Sequence, residues 1–458
     1  MIDSVIKTYK YSGEGFDIAS IFADQPHLFF LQSSQYDLHR GRYSFIGFSP
    51  FDIYQSRQSD ALIQLEEKFS PYRSNVKNEF TPLVAGIVGF LGYDHGVCQE
   101  RMTLSSRNDL NLPHCFFGFY DSIITIDHFT QNLYVCALTT KRALEQFKKT
   151  TVKISKEIAD LPKTDSILKN GSPVTIKCNF TKAQYFQAVE KALDYIRRGD
   201  IYQVNLSQRF EFNYSESFDP LHIYRVLTTL SPSAFGGYFD CGHFQIISSS
   251  PERFLYLQDN ILQTRPMKGT RPRGKTIQED QAFKYEMMHD EKEKAELLMI
   301  TDLERNDLGK VCEYGSVCVK EMRTIEEYHT VFQATSTVEG KLKKGYSEFD
   351  VLKACFPSGS ITGCPKIRSM EIIEELEPHR RGVYTGTMGY ISFSGGMDFN
   401  ILIRTLLTHR GKIYFHVGAG IVADSTPEKE YNETLVKAEA IRTCLESLSL
   451  ESVSLQNF

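Results

Sequence analysis

The chain has 458 residues, 41% of them hydrophobic and 24% charged, enough for a large core in one to three globular domains. A net charge of -5 and a pI near 6.2 exclude a generally basic binder of nucleic acid or acidic membranes, so any anionic ligand must be held by local charge. Ten cysteines without a Cys-x-x-Cys pair or zinc spacing, and no apolar run of membrane length, point to reduced thiols in a soluble cytoplasmic protein.

Taken in order, the aromatic runs 28–31 and 43–48 read as buried strands, with Gln32, Ser33 and Ser34 as a small polar turn. Residues 84–94 read as a strand pair whose recurrent glycines mark close backbone approach. Residues 116–127 and 132–138 read as a hairpin turning at 128–131. The charged, weakly patterned residues 141–177 read as a linker between an N-terminal subdomain (1–140) and a core (178–448), followed by a tail (449–458).

Thr181 caps an expected amphipathic helix to Arg198. In the next strand, residues 201–212, Tyr202, Val204 and Leu206 alternate with Gln203, Asn205 and Ser207. That uncharged polar face suits a cleft wall or solvent equally well. Ser250-Pro251-Glu252-Arg253-Phe254 leads into residues 265–275, where five cationic side chains sit among two prolines and two glycines. The expectation is an irregular basic loop, either a solvated turn or an anion site.

Residues 286–308 read as one helix burying Leu297, Leu298, Ile300 and Leu303, with Glu293 and Glu296 one turn apart on one face. Glu430 and Glu433 repeat that spacing. Two such pairs brought together offer hard oxygen ligands for Mg²⁺; apart, they are solvated acidic faces. The loop 356–366, rich in Ser, Thr and Gly, feeds a helix at 367–376, and its amides and the Ser360 and Thr362 hydroxyls suit an anion or plain capping. Residues 416–421 read as a strand entering a glycine turn, and Arg404 lies in an apolar strand where an unpaired guanidinium would be expensive.

The strings SPERF, PMKGTRPRG, EKAELLMITDLERNDLG, SITGCPKIRSMEII and GAGIVADS, in that order, resemble the chorismate-utilising enzymes, most closely their aminodeoxychorismate synthase branch. The resemblance runs from about Leu31 to Lys437. It implies an α+β fold of packed, twisted antiparallel sheets flanked by helices, with chorismate and Mg²⁺ in one cleft. By resemblance, Glu296 and Glu433 are the metal carboxylates, with Glu293 and Glu430 in an outer shell. Tyr384, Arg404 and the Gly420 amide hold the pyruvyl carboxylate, Ser360 contributes beside them, and Lys437 matches another basic position of the pocket.

Three positions separate the branches. Lys268 matches the nucleophilic lysine of aminodeoxychorismate synthases, where anthranilate synthases carry alanine. Gln203 stands where isochorismate-type enzymes have a water-activating lysine. Gln333 stands where enzymes that also eliminate pyruvate have histidine, and an amide cannot shuttle that proton. The resemblance thus implies amination of chorismate at C4 to 4-amino-4-deoxychorismate, the 4-aminobenzoate precursor of folate synthesis. Lys268 is the expected nucleophile and Glu252 the acid and base, with crowding by Arg265, Arg271 and Arg273 lowering the lysine pKa. No Gly-x-Cys-x-Gly elbow is present, so ammonia is expected from a separate glutaminase subunit. Ser33 matches an amino-acid-binding loop of the family. The rivals are anthranilate synthase component I and a non-catalytic relative that binds chorismate or an amino acid as a regulator.

Overall fold

The apolar runs do become strands, divided between two large antiparallel sheets in a computed structural model that describes residues 3–34, 41–74, 79–158, 174–214, 218–328 and 331–455. The first sheet runs from Ser4–Lys10 through Asn132–Leu138, Ser122–Asp127, Tyr43–Gly47 and Phe29–Gln32. It continues with Gly236–Asp240, Phe244–Ser248, Thr405–His409, Lys412–Ile421 and Gln203–Asn213 to Gly363–Cys364. The second runs from Met267–Pro272 through Val331–Lys341, Ile261–Thr264, Arg253–Gln258 and Met397–Asn400 to Thr387–Ser392, Gly86–Leu91, Cys115–Tyr120 and Asp52–Ser56.

Aromatic side chains join the inner faces. Phe45 meets Tyr390 at 5.3 Å, Phe116 meets Phe239 at 5.6 Å and Phe90 meets Phe244 at 5.9 Å between ring centroids. Outside, the helices Gly15–Ile21, Pro220–Leu230 and Pro427–Leu455 pack on the first sheet, and Ala61–Phe69 and Glu348–Cys355 on the second. The fold is α+β, two antiparallel sheets with flanking helices, as the resemblance implied.

Several local expectations change. Residues 141–157 are not linker but the helix Lys141–Glu157, capped by Thr140, whose hydroxyl accepts from the Ala143 amide at 3.2 Å. Its lysines form the solvated face of an amphipathic helix that buries Ala143 and Ile154. Of the remaining expected linker, residues 159–173 lie outside the described residues, as do 456–458 of the expected tail. Residues 84–94 hold one strand, Gly86–Leu91, and then the helix Tyr93–Gln99. The run 116–127 breaks at Asp121, its first half in the second sheet and its second half in the first. The long helix expected at 286–308 is two, Ile277–His289 and Glu291–Val311, because Asp290 turns its carboxylate to the Glu293 amide at 2.9 Å and starts a new helix. Leu297 and Ile300 are buried on it, but Leu298 is exposed.

The glycines of residues 84–94 do mark close backbone approach. A Cβ on Gly89 would lie 2.0 Å from the Phe116 carbonyl oxygen, and one on Gly86 2.3 Å from that of Ile391. Gly309, inside a helix, has nothing within 4 Å. Gly89→Ala should therefore lower stability by about 1–3 kcal/mol, whereas Gly309→Ala should raise it by about 0.5–1 kcal/mol. Urea-denaturation midpoints of the two variants read the contrast.

Candidate functional site

The basic segment is a strand rather than an irregular loop. Met267–Pro272 pairs with Val331–Lys341, and its glycine is absorbed by a bulge between Lys268 and Thr270, with Gly269 at φ 72. Its arginines are neutralised locally. Arg265 pairs with Glu326, Arg271 with Glu293 at 2.6 Å and Asp290 at 3.1 Å, and Arg273 with Asp280 at 2.5 Å. The Gly269 bulge lets Glu293 come in, since a Cβ there would lie 2.5 Å from Glu293 Oε2.

Lys268 is the exception. Among the described residues its amine has no ion-pair partner, and burial pushes its pKa down. Lys437 pushes the same way, whereas Glu296, Glu252 and Glu433 oppose it. The cation that crowds Lys268 is thus Lys437, not the paired arginines. The amine points across to the other sheet. A Cβ on Gly420 would lie 3.6 Å from Lys268 Nζ and 2.6 Å from Gln203 Nε2. One on Gly418 would lie 2.5 Å from Asn205 Oδ1 and 2.9 Å from the Tyr384 hydroxyl.

Both glycines lie inside the strand Lys412–Ile421 rather than in a turn after it, so they leave room above a polar floor. That floor is the uncharged face of Gln203–Asn213. Among the described residues, the buried atoms Gln203 Oε1, Asn205 Oδ1 and Ser207 Oγ have no hydrogen-bond partners, so this face turns largely to the interior. Tyr202 is exposed and Asn205 half-buried, while the rest of that alternation is buried.

Glu252 faces the same space from the second sheet. Burial pushes its carboxyl up to about 7, helped by Glu304, while the Ser360 hydroxyl, Lys268 and the Met267 amide favour its anion. Its Oε1 has no hydrogen-bond partner among the described residues. Ser360 belongs to the short helix Gly359–Ile361. The donors of that turn are not free for an external anion. Glu304 Oε1 accepts from Ser358 Oγ at 2.9 Å and from the Gly359 amide at 3.0 Å, and Thr362 Oγ1 bonds back to the Ser358 carbonyl. The anion that this loop holds is a side chain of the protein.

The carboxylate pairs converge only in part. Glu296 and Glu433 both act on Lys268. Glu433 is exposed and paired with Lys437 at 2.7 Å, and Lys437 also donates to the Gly418 carbonyl at 3.1 Å. Glu293 keeps one buried oxygen, Oε2, without a partner, and Glu430 is buried, with its pKa raised by desolvation. Among the described residues no three His, Cys, Asp or Glu side chains lie close enough to hold a metal ion by themselves. Two carboxylates plus water suit Mg²⁺, which keeps several waters, so the residues fit that ion at most as a sparse site.

Tyr384 is buried and stacks on His416 at 5.0 Å, and burial holds that histidine neutral. Arg404 is not in a strand. It has φ 50 between Met397–Asn400 and Thr405–His409, with its guanidinium 3.5 Å from Ser231 Oγ and its pKa pushed down by burial. Ser33 is buried at the end of Phe29–Gln32, with its amide donating to Ser44 Oγ at 3.3 Å. Lys268, Glu252, Ser360, Gly420, Lys437, Glu296 and Glu433 are therefore linked by mutual approach or charge. Arg404 approaches Ser231 and is within charge range of Tyr328, and Ser33 bonds to Ser44.

Residues 27–443 match the family of chorismate binding enzymes. The chain belongs to that family. It is 39% identical over 426 residues to aminodeoxychorismate synthase component 1 of Bacillus subtilis (strain 168), spanning 89% of this chain and 90% of that one. It is 37% identical over 453 residues to anthranilate synthase component 1 of Acetivibrio thermocellus, spanning 93% and 91%. Among solved structures, anthranilate synthase component I from Streptococcus pneumoniae TIGR4 superposes with a TM-score of 0.78 at 31% identity, covering 89% of this chain and 94% of that one. The protein is thus a chorismate-utilising enzyme.

Two residues of this chorismate binding enzyme were not singled out in its sequence. Arg381, buried and paired with Glu377 at 2.7 Å, donates to the Asn205 carbonyl at 2.7 Å and the Ile361 carbonyl at 3.0 Å, tying the floor strand to the Ser360 turn. Glu304 is the other, and its spacing from Leu297 and Ile300 on one helix face was the available signal.

The raised Glu252 carboxyl has a stability consequence. Its folded pKa, about 7, exceeds its ordinary value of 4.5, so between those two pH values the folded form holds more protons than the unfolded one. Stability falls as the pH rises through that window, and the whole cost is present above it. Glu252→Gln should therefore gain on the wild type by roughly 3 kcal/mol between pH 4.5 and pH 8. Urea titrations of both proteins at the two pH values measure the change.

Proposed function

We propose that this enzyme aminates chorismate at C4, giving 4-amino-4-deoxychorismate, the 4-aminobenzoate precursor of folate synthesis. The observation that carries this reading is the half-buried Lys268 amine, which has no ion-pair partner among the described residues and is aimed into the space between Gly420 and Gln203. An amine whose pKa is lowered by burial and a cationic neighbour populates its nucleophilic free base.

In the proposed sequence, neutral Lys268 attacks C2 of chorismate while the C4 hydroxyl leaves as water with a proton from Glu252. Ammonia then attacks C4, the Lys268 nitrogen leaves C2, and Glu252 takes the proton shed by the incoming nitrogen. A carboxyl with a pKa near 7 suits both directions of transfer. Tyr384, Arg404, the Gly420 amide and Lys437 would hold the substrate carboxylates, with Ser360 beside them. Mg²⁺, held by Glu296 and Glu433 with Glu293 and Glu430 behind them, would neutralise charge on the bound substrate. The relatives are named as component 1, which supports a separate glutaminase subunit as the source of ammonia.

Anthranilate synthesis is the second reading, favoured by the nearly equal identity to the Acetivibrio thermocellus enzyme. Against it stand Lys268 and Gln333, which is buried opposite Thr270, two residues from Lys268. An amide there offers no titratable group to move the proton whose loss accompanies pyruvate release.

Purified chain, chorismate, Mg²⁺ and ammonium at alkaline pH should yield, by mass spectrometry, a product with hydroxyl replaced by amine and the pyruvyl group retained. Lys268→Ala should lower that turnover by about 10³-fold or more. Anthranilate with free pyruvate would transfer the assignment to the second reading, and full activity of Lys268→Ala would exclude the covalent step.

A further inference from the structure

Among the described residues, no continuous strand covers the outer edge of the floor strand Gln203–Asn213. Gly363–Cys364 pairs only with Gln203 and Val204, and Lys177–Cys178 only with Phe210 and Glu211. In the gap the edge backbone groups still need partners. The Asn205 amide donates to the Thr362 carbonyl at 2.8 Å, and the Arg209 amide to Asn179 Oδ1 at 2.8 Å. Two groups between them are taken by one ion pair. Arg381 Nη2 donates to the Asn205 carbonyl at 2.7 Å, and Glu377 Oε1 accepts from the Ser207 amide at 2.8 Å. The two side chains also bind each other, Nη2 to Oε1 at 2.7 Å and Nε to Oε2 at 3.0 Å, and both are buried. A charged pair thus stands where a neighbouring strand would.

We propose that this buried pair fixes the floor of the site against Lys268, so that Arg381 and Glu377 are positioning residues for the reaction of chorismate. They occupy backbone groups in the plane of the sheet. The side chains of Gln203, Asn205 and Ser207 stand out of that plane, and their unpartnered oxygens stay open to a ligand. The pair therefore secures the strand without using up the groups that face the substrate.

The rest of the guanidinium reaches the other walls. Arg381 Nη1 donates to the Ile361 carbonyl, next to Ser360, at 3.0 Å and to Thr385 Oγ1 at 3.3 Å. The Thr385 hydroxyl donates in turn to the Tyr384 carbonyl at 2.6 Å. Thr385 is β-branched yet sits at φ 59, a conformation that persists only where the surroundings impose it, and its amide is held by the Leu402 carbonyl at 2.9 Å. The segment is seated on the second sheet. The helix Tyr93–Gln99 follows the strand Gly86–Leu91, and its Tyr93 amide donates to the Gly382 carbonyl at 2.8 Å while Asp94 Oδ1 accepts from the Gly382 amide at 3.2 Å. The guanidinium lies 4.7 Å from the centre of the Tyr93 ring. The strand of Lys268 belongs to that same sheet, so Arg381 ties the sheet that carries the amine to the strand that faces it. Only a planar fork of donors reaches acceptors on several sides at once, and a lysine ammonium does not.

This inference rests on the proposed site but not on the proposed product, so the rate read is chorismate consumption with Mg²⁺ and ammonium. Arg381→Lys should lower kcat/KM about 100-fold. Two further variants separate positioning from loss of fold. Ile154→Ala, in the helix Lys141–Glu157 on the outside of the first sheet, should lower the urea midpoint and keep kcat/KM within about twofold. Arg381→Met combined with Glu377→Gln leaves no lone buried charge, so its urea midpoint should lie above that of Arg381→Met alone. Its turnover should stay as low as that of Arg381→Met, because the Asn205 and Ile361 carbonyls have lost their donor. Hydrogen exchange read by mass spectrometry needs no turnover, and in the double variant residues 203–209 should exchange about tenfold faster or more, with Gly86–Leu91 unchanged. Wild-type kcat/KM in Arg381→Lys, turnover that recovers with stability in the double variant, or unaltered exchange in residues 203–209 would each overturn the proposal. If the wild type releases anthranilate while the variants behave as expected, the inference stands and only the proposed product falls.

Discussion

A lysine amine half withdrawn from water with no ion-pair partner among the described residues is costly, and the structure around Lys268 is organised to bear that cost. The neighbouring arginines are each bound to a carboxylate of their own, so none of them competes for the space in front of the amine. Gly269 absorbs the bulge that lets Glu293 reach Arg271, and Gly418 and Gly420 keep the facing strand bare of side chains. What remains around the amine is an uncharged floor of amides and hydroxyls with unpaired buried atoms, an arrangement that costs stability and leaves hydrogen-bonding capacity open to a ligand.

The second sheet sets the amine and Glu252, and the first sets the floor, so the site exists only where the two meet. Arg381 ties the floor strand of the first sheet to the Ser360 turn through the Asn205 and Ile361 carbonyls. The choice between amination alone and amination followed by elimination is a matter of single side chains, since relatives of both kinds match the chain over nearly all of its length.

Much of this was legible in the residues. Alternation located the strands, Thr181 announced its helix as an N-cap, which the structure completes as a capping box with Gln184, and the quoted strings carried the family. Proline and glycine content misled at residues 265–275, because Pro266 precedes the strand, Pro272 is its last residue and the glycine occupies a bulge, all positions that a strand tolerates. Lysine density misled at 141–157, where it is only the wet side of a helix. Glu304 escaped because counting apolar positions leaves a buried acid out, and its partners lie 54 and 55 residues further along the chain. Nor does local pattern show that the run 116–127 changes sheets at Asp121, since both halves are equally apolar.

The order of strands also bears on how the chain is made. Ser4–Lys10, Ser122–Asp127 and Asn132–Leu138 can associate early, but Phe29–Gln32 pairs with Gly236–Asp240, and Gly86–Leu91 pairs with Thr387–Ser392. On the ribosome, Gly86–Leu91 therefore waits with one edge unpaired until nearly 300 further residues have been synthesised. At about 5–20 residues per second that delay is tens of seconds, during which an apolar edge invites association with other nascent chains.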